Sequence, residues 1–271
     1  MNKLFKSLIY DREVSLSVLD TTELVNDAIK IHNLDAGSAK TLGSLLTCGA
    51  FMAGCLKSEK GAISITVKAN GDAGAVSVSG DKDLHIRGYI DGNSNGRLNG
   101  GYLTVVKEDG FYRPFVGASE LVGDSVSENL MQYFHISEQI ETAVAIDAKI
   151  VDGKCVAAGG VIMQLMPGCS QENMDRAEEC MQNFVNIASV LEELGADGIM
   201  EKYFKDEAQF VYQYFPEYKC NCSRKKIEGV ILPLGKEELQ NIIDEEGAVK
   251  VHCHYCNKTY EFTREDIDKL I

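Results

Sequence analysis

The feature that most constrains this chain is a pair of cysteine clusters near its C-terminus, Cys220-Asn221-Cys222 and, after thirty intervening residues, Cys253-His254-Tyr255-Cys256. Residues two apart in extended backbone point the same way, so Cys220 and Cys222 can converge on one point. A two-residue knuckle brings Cys253 and Cys256 together in the same sense. Two such pairs suit a tetrathiolate cage around one Zn²⁺, the coordination that soft sulfur ligands and a tetrahedral d¹⁰ ion favour. A closed four-sulfur site leaves no position for a catalytic water, so structure and redox sensing are the roles such an ion would have. The competing reading of the same spacing is two vicinal disulfides in a secreted protein.

The rest of the chain speaks against secretion. Lys3 and Lys6 are followed only by Ser7-Leu8-Ile9-Tyr10 before Asp11-Arg12-Glu13, which is too short for the apolar region of a signal peptide. The longest apolar stretch, Leu42 to Leu56, is interrupted by Ser44 and Thr47 and is shorter than the roughly 20 residues of a membrane span. A soluble, cytoplasmic protein is the expectation. Thiols stay reduced in that compartment, so the nine cysteines read as ligands or free thiols. Cys48, Cys55, Cys155, Cys169 and Cys180, outside the cluster, read as small buried hydrophobic residues.

The chain has 27 basic and 41 acidic residues, a net charge of −14, which repels phosphate backbones and anionic lipid surfaces. The cysteine region does not reverse the sign: from Pro216 to Ile271 there are nine Lys and Arg against eleven Asp and Glu. No nucleic-acid or membrane partner is therefore expected.

Periodicity divides the chain into an α+β domain at 1–170, an acidic helical and aromatic linker at 171–216 and a small cysteine domain at 217–271. Residues 4 to 18 alternate as one or two strands, and Glu23 to His32 reads as a short helix. Ser38 reads as the N-cap of a largely buried helix running to Lys57 through Leu42, Leu45, Leu46, Phe51, Met52 and Leu56. Ile63–Val67 and Ala75–Val78 flank Asn70-Gly71, a hairpin-turn dipeptide. Further strands are expected at Leu84–Ile90 and Tyr102–Lys107, with turns through Asp91 to Gly101. Ser125-Val126-Ser127-Glu128 is a capping box opening a helix with Val126, Leu130 and Phe134 on one face. Glu141–Val151 and Cys155–Leu165, joined at Asp152-Gly153, form another hairpin. Gly71, Gly74, Gly100 and Gly101 lack the strand–glycine loop–helix context of a dinucleotide site and read as turns, and no catalytic constellation is evident, with His32, His85 and His135 far apart.

Between Gln171 and Glu207, ten acids stand against three bases. Met174, Ala177, Met181, Phe184, Ala188 and Leu191 recur at helical spacing, and Gly195 ends the helix. Tyr203, Phe204, Phe210, Tyr212, Tyr214, Phe215 and Tyr218 then crowd into sixteen residues. This much ring surface is expected to be docked rather than left in water. Lys236–Glu246 is a helix, Val249–Phe262 a hairpin carrying the knuckle, and Arg264–Leu270 a terminal helix.

In Tyr218-Lys219-Cys220-Asn221-Cys222-Ser223-Arg224, Leu234-Gly235-Lys236-Glu237-Glu238-Leu239 and Val251-His252-Cys253-His254-Tyr255-Cys256, with Tyr260 and Phe262, the chain resembles the heat-shock protein 33 family. Tyr133-Phe134-His135-Ile136-Ser137-Glu138-Gln139 and Ala157-Ala158-Gly159-Gly160, running on to Gln164 and Pro167-Gly168, agree. Pro233, where the family continues a helix, and Gly100-Gly101 depart from the pattern. The resemblance implies a non-enzymatic, ATP-independent holdase chaperone. It would be inactive when reduced and hold one Zn²⁺ on Cys220, Cys222, Cys253 and Cys256. Oxidation would form Cys220–Cys222 and Cys253–Cys256 disulfides, release the zinc and expose a surface for unfolding client proteins, with a homodimer an added possibility in the oxidised form. Without the resemblance, the alternative is a zinc-ribbon interaction or nucleic-acid-associated module on an α/β domain. A thiol oxidoreductase is a third reading, weakened because Cys253–Cys256 lacks a βαβ setting.

Overall fold

A computed structural model of the protein describes residues 1–92, 96–110 and 112–270. It divides into two units, Met1–Tyr218 and Lys219–Ile271. In chain order the first unit comprises β1 (Lys3–Ile9), β2 (Val14–Asp20), α1 (Thr22–His32), α2 (Ala36–Ala53), β3 (Ala62–Ala69), β4 (Ala75–Asp81) and β5 (His85–Ile90). β6 (Gly101–Glu108), β7 (Phe115–Glu120), α3 (Val126–Tyr133), β8 (Thr142–Val151), β9 (Lys154–Leu165), α4 (Gln171–Met181), α5 (Ile187–Tyr203), β10 (Gln209–Tyr214) and β11 (Glu217–Tyr218) follow. The second unit comprises α6 (Arg224–Ile231), α7 (Gly235–Glu246), β12 (Val249–His252), β13 (Thr259–Phe262) and α8 (Arg264–Leu270). The expected α+β class is what the chain adopts, and among the described residues no helix is long and apolar enough to cross a membrane.

Strand alternation sends side chains to both faces of a five-stranded antiparallel sheet ordered β10-β1-β2-β9-β8. Leu4, Leu19, Val144, Ile146 and Ile162 point to one face, where they join Leu42, Leu45, Leu46 and Phe51 of α2 in the larger core. Phe5, Leu16, Val18, Val161 and Met163 point to the other, where Phe184, Ile187, Leu191, Ile199 and Phe204 cover them. The sheet is thus buried on both sides, which is why β9 reads as a nearly continuous apolar run. A second sheet, β11-β5-β4-β3-β6-β7, closes the far side of α2 and is antiparallel except for the parallel β11–β5 pair. Gly49 lets α2 approach β4, because a β-carbon there would lie 2.5 Å from Val78 Cγ1.

Several local expectations change. The cap of α2 is Asp35, not Ser38; the Asp35 carboxylate accepts from the Ser38 N–H at 3.0 Å and from its hydroxyl at 2.9 Å, and the helix begins at Ala36. A carboxylate three residues ahead is the stronger acceptor for a first-turn N–H. Asn70-Gly71 is not a two-residue turn. The Asn70, Gly71 and Ala73 N–H groups donate to the carbonyls of Gly100, Leu98 and Arg97, and the positive φ of +59° falls on Gly74. Gly71 is required by proximity, since a β-carbon there would sit 2.4 Å from the Arg97 carbonyl oxygen. Residues 93–95 of the expected turn-rich stretch lie outside the described residues. Strand β7 carried no sequence expectation.

The Asp152-Gly153 turn is as expected, with both residues at positive φ and hence matched to the twist of the β8–β9 hairpin. Ser125 caps α3 by accepting from the Glu128 N–H. The stripe from Met174 to Leu191 is not one helix: α4 ends at Met181, a 3₁₀ turn spans Gln182–Phe184, and α5 starts afresh at Ile187. Ala177, Phe184, Ala188 and Leu191 are nevertheless buried. Gly195 breaks α5 with φ 62° and ψ 177°.

The aromatic segment departs most from expectation. Phe204 is buried and stacks on Phe184, and the Tyr218 hydroxyl donates to the Gly88 carbonyl at 2.8 Å. Phe210, Tyr212, Tyr214 and Phe215, however, are exposed, 41 to 58% accessible. They lie on or next to the edge strand β10, whose backbone pairs with β1; among them the Phe210 ring is overlain by the Arg12 guanidinium at 4.9 Å. Cys55 likewise lies beyond the end of α2 and is exposed, whereas Cys48 and Cys155 are buried and burial pushes their thiols up to about 12.

Placing a branched side chain at Gly49 tests the seating of α2. Gly49→Val overpacks the contact with Val78 and is expected to destabilise the first unit by about 1 to 3 kcal/mol, read as a lower urea midpoint. A second test uses Glu13, whose carboxylate accepts from the Ser170 hydroxyl and N–H and from Asn173, anchoring the start of α4 to the β1–β2 turn. Hydrogen bonds from Ser170, first through its side chain and then its backbone, with Asn173 adding to them, lower its pKa from 4.5 to about 2. A depressed carboxylate stabilises the fold above its unfolded pKa and loses that contribution as pH falls. Glu13→Gln is therefore expected to remove part of the acid-induced loss of stability between pH 4.5 and about 2, measured by thermal melts across that range.

Candidate metal centre

The four cysteines come from two arms of the second unit. Cys220 and Cys222 immediately precede α6, which Ser223 caps by accepting from the Lys226 N–H. Cys253 follows β12, and Cys256 closes the knuckle before β13. The register of the β12–β13 pair, Val249 opposite Phe262 through His252 opposite Thr259, places the knuckle at the hairpin tip. Backbone bonds hold it closed: Cys253 N–H to the Lys258 carbonyl at 2.9 Å, and Asn257 N–H to the Cys253 carbonyl at 2.9 Å. Asn257 takes the left-handed conformation, φ 56°, which Asn tolerates better than most residues.

The four sulfurs all lie within 4.8 Å of one another. The Sγ atoms of Cys220 and Cys253 are 3.8 Å apart, and those of Cys222 and Cys256 are 3.4 Å apart. In a tetrahedron with Zn–S bonds of about 2.3 Å, the sulfur–sulfur edge is about 3.8 Å. The donor set and its spacing thus fit a thiolate-bound divalent ion.

The cluster is electrostatically uneven. Burial pushes the Cys220 and Cys256 thiols up. Burial acts in the same direction on Cys222, but hydrogen bonds from Tyr260 and the neighbouring cysteines outweigh it and bring that thiol down to about 7. The Tyr260 hydroxyl lies 3.1 Å from Cys222 Sγ. A thiol held near 7 supplies a thiolate at neutral pH, the form that binds metal and reacts with oxidants.

Among the described residues a small buried core supports this arrangement, Ile231, Leu239, Ile243, Val249, Phe262 and Ile267, with Ile227, Ile242, Val251, Tyr260 and Leu270 packed against it. Arg224 links α6 to the rest of the unit, lying 4.3 Å above the Phe262 ring, donating to the Glu261 carbonyl at 2.9 Å and pairing with Asp266 at 2.8 Å. Pro233 occupies a 3₁₀ turn between α6 and α7 and lies well away in sequence from all four cysteines.

The structure brings together all four cysteines singled out in the sequence and leaves the three histidines apart. His32 contacts the Tyr218 hydroxyl at 3.0 Å, and His135 contacts Glu141 at 3.0 Å. His85 lies 3.3 Å from Asp81 and 3.0 Å from Glu217. Asp81, Asp83 and His85 also bring potential ligand atoms within 4.8 Å, a grouping the sequence reading missed. There one Asp81 oxygen is committed to the Asp83 and His85 N–H groups of its own turn. Tyr260 was noted in the sequence only as part of a pattern; its contact with Cys222 depends on the hairpin register.

Comparison with known proteins agrees along the whole chain. The family model described as Hsp33 protein matches residues 2–263. A 33 kDa chaperonin of Clostridium perfringens is 34% identical over 289 residues, covering 100% of this chain and 91% of that protein. A 33 kDa chaperonin of Bacillus cytotoxicus is 33% identical over 285 residues, covering 99% of this chain and 98% of that protein. The crystal structure of a 33 kDa chaperonin, a heat shock protein 33 homolog from Thermotoga maritima, superposes with a TM-score of 0.90 at 27% identity, covering 99% of this chain and 97% of that one. By sequence over nearly its full length and by fold, this chain belongs to the Hsp33 protein family.

Proposed function

We propose that the protein is a redox-regulated, ATP-independent holdase chaperone of the bacterial cytoplasm, inactive while Cys220, Cys222, Cys253 and Cys256 hold one Zn²⁺. The observation that carries this reading is the gathering of four sulfurs at tetrahedral spacing in a unit with little other core, within a chain of the Hsp33 family. In this reading 1–170 is the chaperone domain, 171–216 the linker and 217–271 the redox switch. The protein would act by binding unfolding polypeptides, with no chemical turnover.

The bound ion would supply a cross-link worth on the order of 10 to 16 kcal/mol of apparent folding energy to such a small domain. Each pair of thiolates gives up two electrons to one hydrogen peroxide, which takes two protons from solvent and leaves as two waters, and one disulfide forms. Pairing Cys220 with Cys222 and Cys253 with Cys256 consumes two peroxides and all four thiolates.

In the closed cluster, close sulfur contacts join opposite arms, Cys220 to Cys253 and Cys222 to Cys256. Disulfides within each arm sever that connection. They close loops so short that they restrain the unfolded chain little and do not replace the lost cross-link. The six-residue core then lacks the apolar area to keep the unit folded.

Unfolding would propagate to the linker, whose residues Phe184, Ile187, Leu191, Ile199 and Phe204 cover one face of the five-stranded sheet. Release of that cover would bare two apolar surfaces on an acidic background, suited to holding unfolded chains in solution.

Mild peroxide treatment with gentle warming is expected to remove one zinc and four free thiols while conferring suppression of aggregation on an unfolding test protein. Zinc content, thiol titration and light scattering on one sample measure this. Retained zinc with no gain of activity would mark the site as a structural ribbon. Peptide mapping of the oxidised chain is expected to find Cys220–Cys222 and Cys253–Cys256; bridges between the arms would refute the proposed unfolding step. Cys253→Ser should lower zinc affinity by more than about tenfold and reduce far-UV helicity in the reduced form.

A further inference from the structure

We infer that the Tyr260 hydroxyl is a positioning group for the metal centre, donating to the Cys222 sulfur and setting how firmly that thiolate is held on the ion. The inference rests on the zinc–thiolate reading above and concerns the regulation of that same site.

Register fixes the geometry. Tyr260 lies in β13 opposite Val251 of β12, and its ring is half-buried against the core of the second unit. From there its hydroxyl reaches 3.1 Å from Cys222 Sγ. Tyr260 belongs to the arm that carries Cys253 and Cys256, while Cys222 belongs to the other. The hydrogen bond therefore spans the two arms independently of any ion.

The sulfurs differ in their donors. Cys220 receives the Cys222 N–H and Cys256 receives the Lys258 N–H, both short-range backbone contacts. On Cys222 the partner is a side-chain hydroxyl, that of Tyr260. A hydrogen bond from a neutral phenol to a thiolate is charge-assisted. It draws electron density from the sulfur and fixes the direction of its remaining lone pairs, as outer-shell partners of metal ligands do. Cys222 is thereby held in place before the ion binds and made a less electron-rich donor once it has bound.

The test uses the reduced full-length chain loaded with Co²⁺, in three forms: wild type, Tyr260→Phe, and the chain with 3-fluorotyrosine placed at position 260. The wild type is expected to show the visible bands of tetrahedral cobalt and the near-ultraviolet charge-transfer bands of thiolate ligation. Tyr260→Phe keeps the ring and should keep the tetrahedral bands. Its charge-transfer band is expected to move to lower energy, and Zn²⁺ affinity by chelator competition to fall about tenfold. Fluorotyrosine, a stronger hydrogen-bond donor, should move the band the opposite way. Loss of packing alone does not predict these opposed shifts.

Identical spectra and affinities in all three forms would overturn the inference and leave the four-thiolate reading standing. A wild type without tetrahedral thiolate bands would overturn that reading and this inference with it. If Tyr260→Phe fails to fold, the fluorotyrosine chain, which keeps the hydroxyl, decides the question by its band position.

Discussion

Convergence of four sulfurs from two arms of the chain is the interaction on which the C-terminal unit depends. Six buried apolar residues from α6, α7, α8 and one hairpin make up its core. Burial on that scale barely offsets the conformational entropy of ordering some fifty residues. Arg224, through Phe262, Glu261 and Asp266, ties α6 to β13 and α8, but its side chain is partly exposed and such contacts contribute modestly. On the proposed reading, a unit built this way is stable in proportion to its cross-link, which would make thiol chemistry a control on folding.

A different dependence governs the first unit. Its five-stranded sheet is apolar on both faces, and the two covers differ in kind. Helix α2 is buried almost all round between the two sheets and cannot leave without dismantling the core. Helices α4 and α5 contribute one apolar stripe each and turn an acidic face outward, and they are interrupted at Gln182–Phe184 and again at Gly195. Interrupted amphipathic helices held by one face open at lower free energy than an enclosed helix. The exposed rings of Phe210, Tyr212, Tyr214 and Phe215 continue this apolar character along the adjacent sheet edge.

Much of this was legible in the residues. The Cys-x-Cys and Cys-x-x-Cys spacing selects thiolate ligation because few other arrangements satisfy four soft donors so close together in sequence. The apolar periods of α2, the β8–β9 hairpin with its Asp152-Gly153 turn, and the capping box at Ser125 were equally readable, since each is decided within a few residues. Where a competing partner lay nearby or far away in sequence, the reading failed. Asp35 starts α2 three residues before Ser38 by accepting the Ser38 N–H, and the 97–100 segment captured the N–H groups of Asn70, Gly71 and Ala73 that a tight hairpin turn would have used. The aromatic segment was expected to be docked from its composition alone. As an edge strand, β10 pairs its backbone with β1 and leaves its rings largely exposed.

The four-cysteine pattern, the acidic balance, the α+β class and the family were set by the sequence alone, because all of these reside in residue identity and short-range spacing. Tertiary structure alone decided that the five-stranded sheet has two apolar faces and which helices cover each. It also decided that close sulfur contacts join opposite arms and that a phenol from β13 reaches Cys222. Those are contacts between residues tens to more than a hundred positions apart. Their partners are chosen by sheet register and by the packing of the whole unit, which no local period encodes.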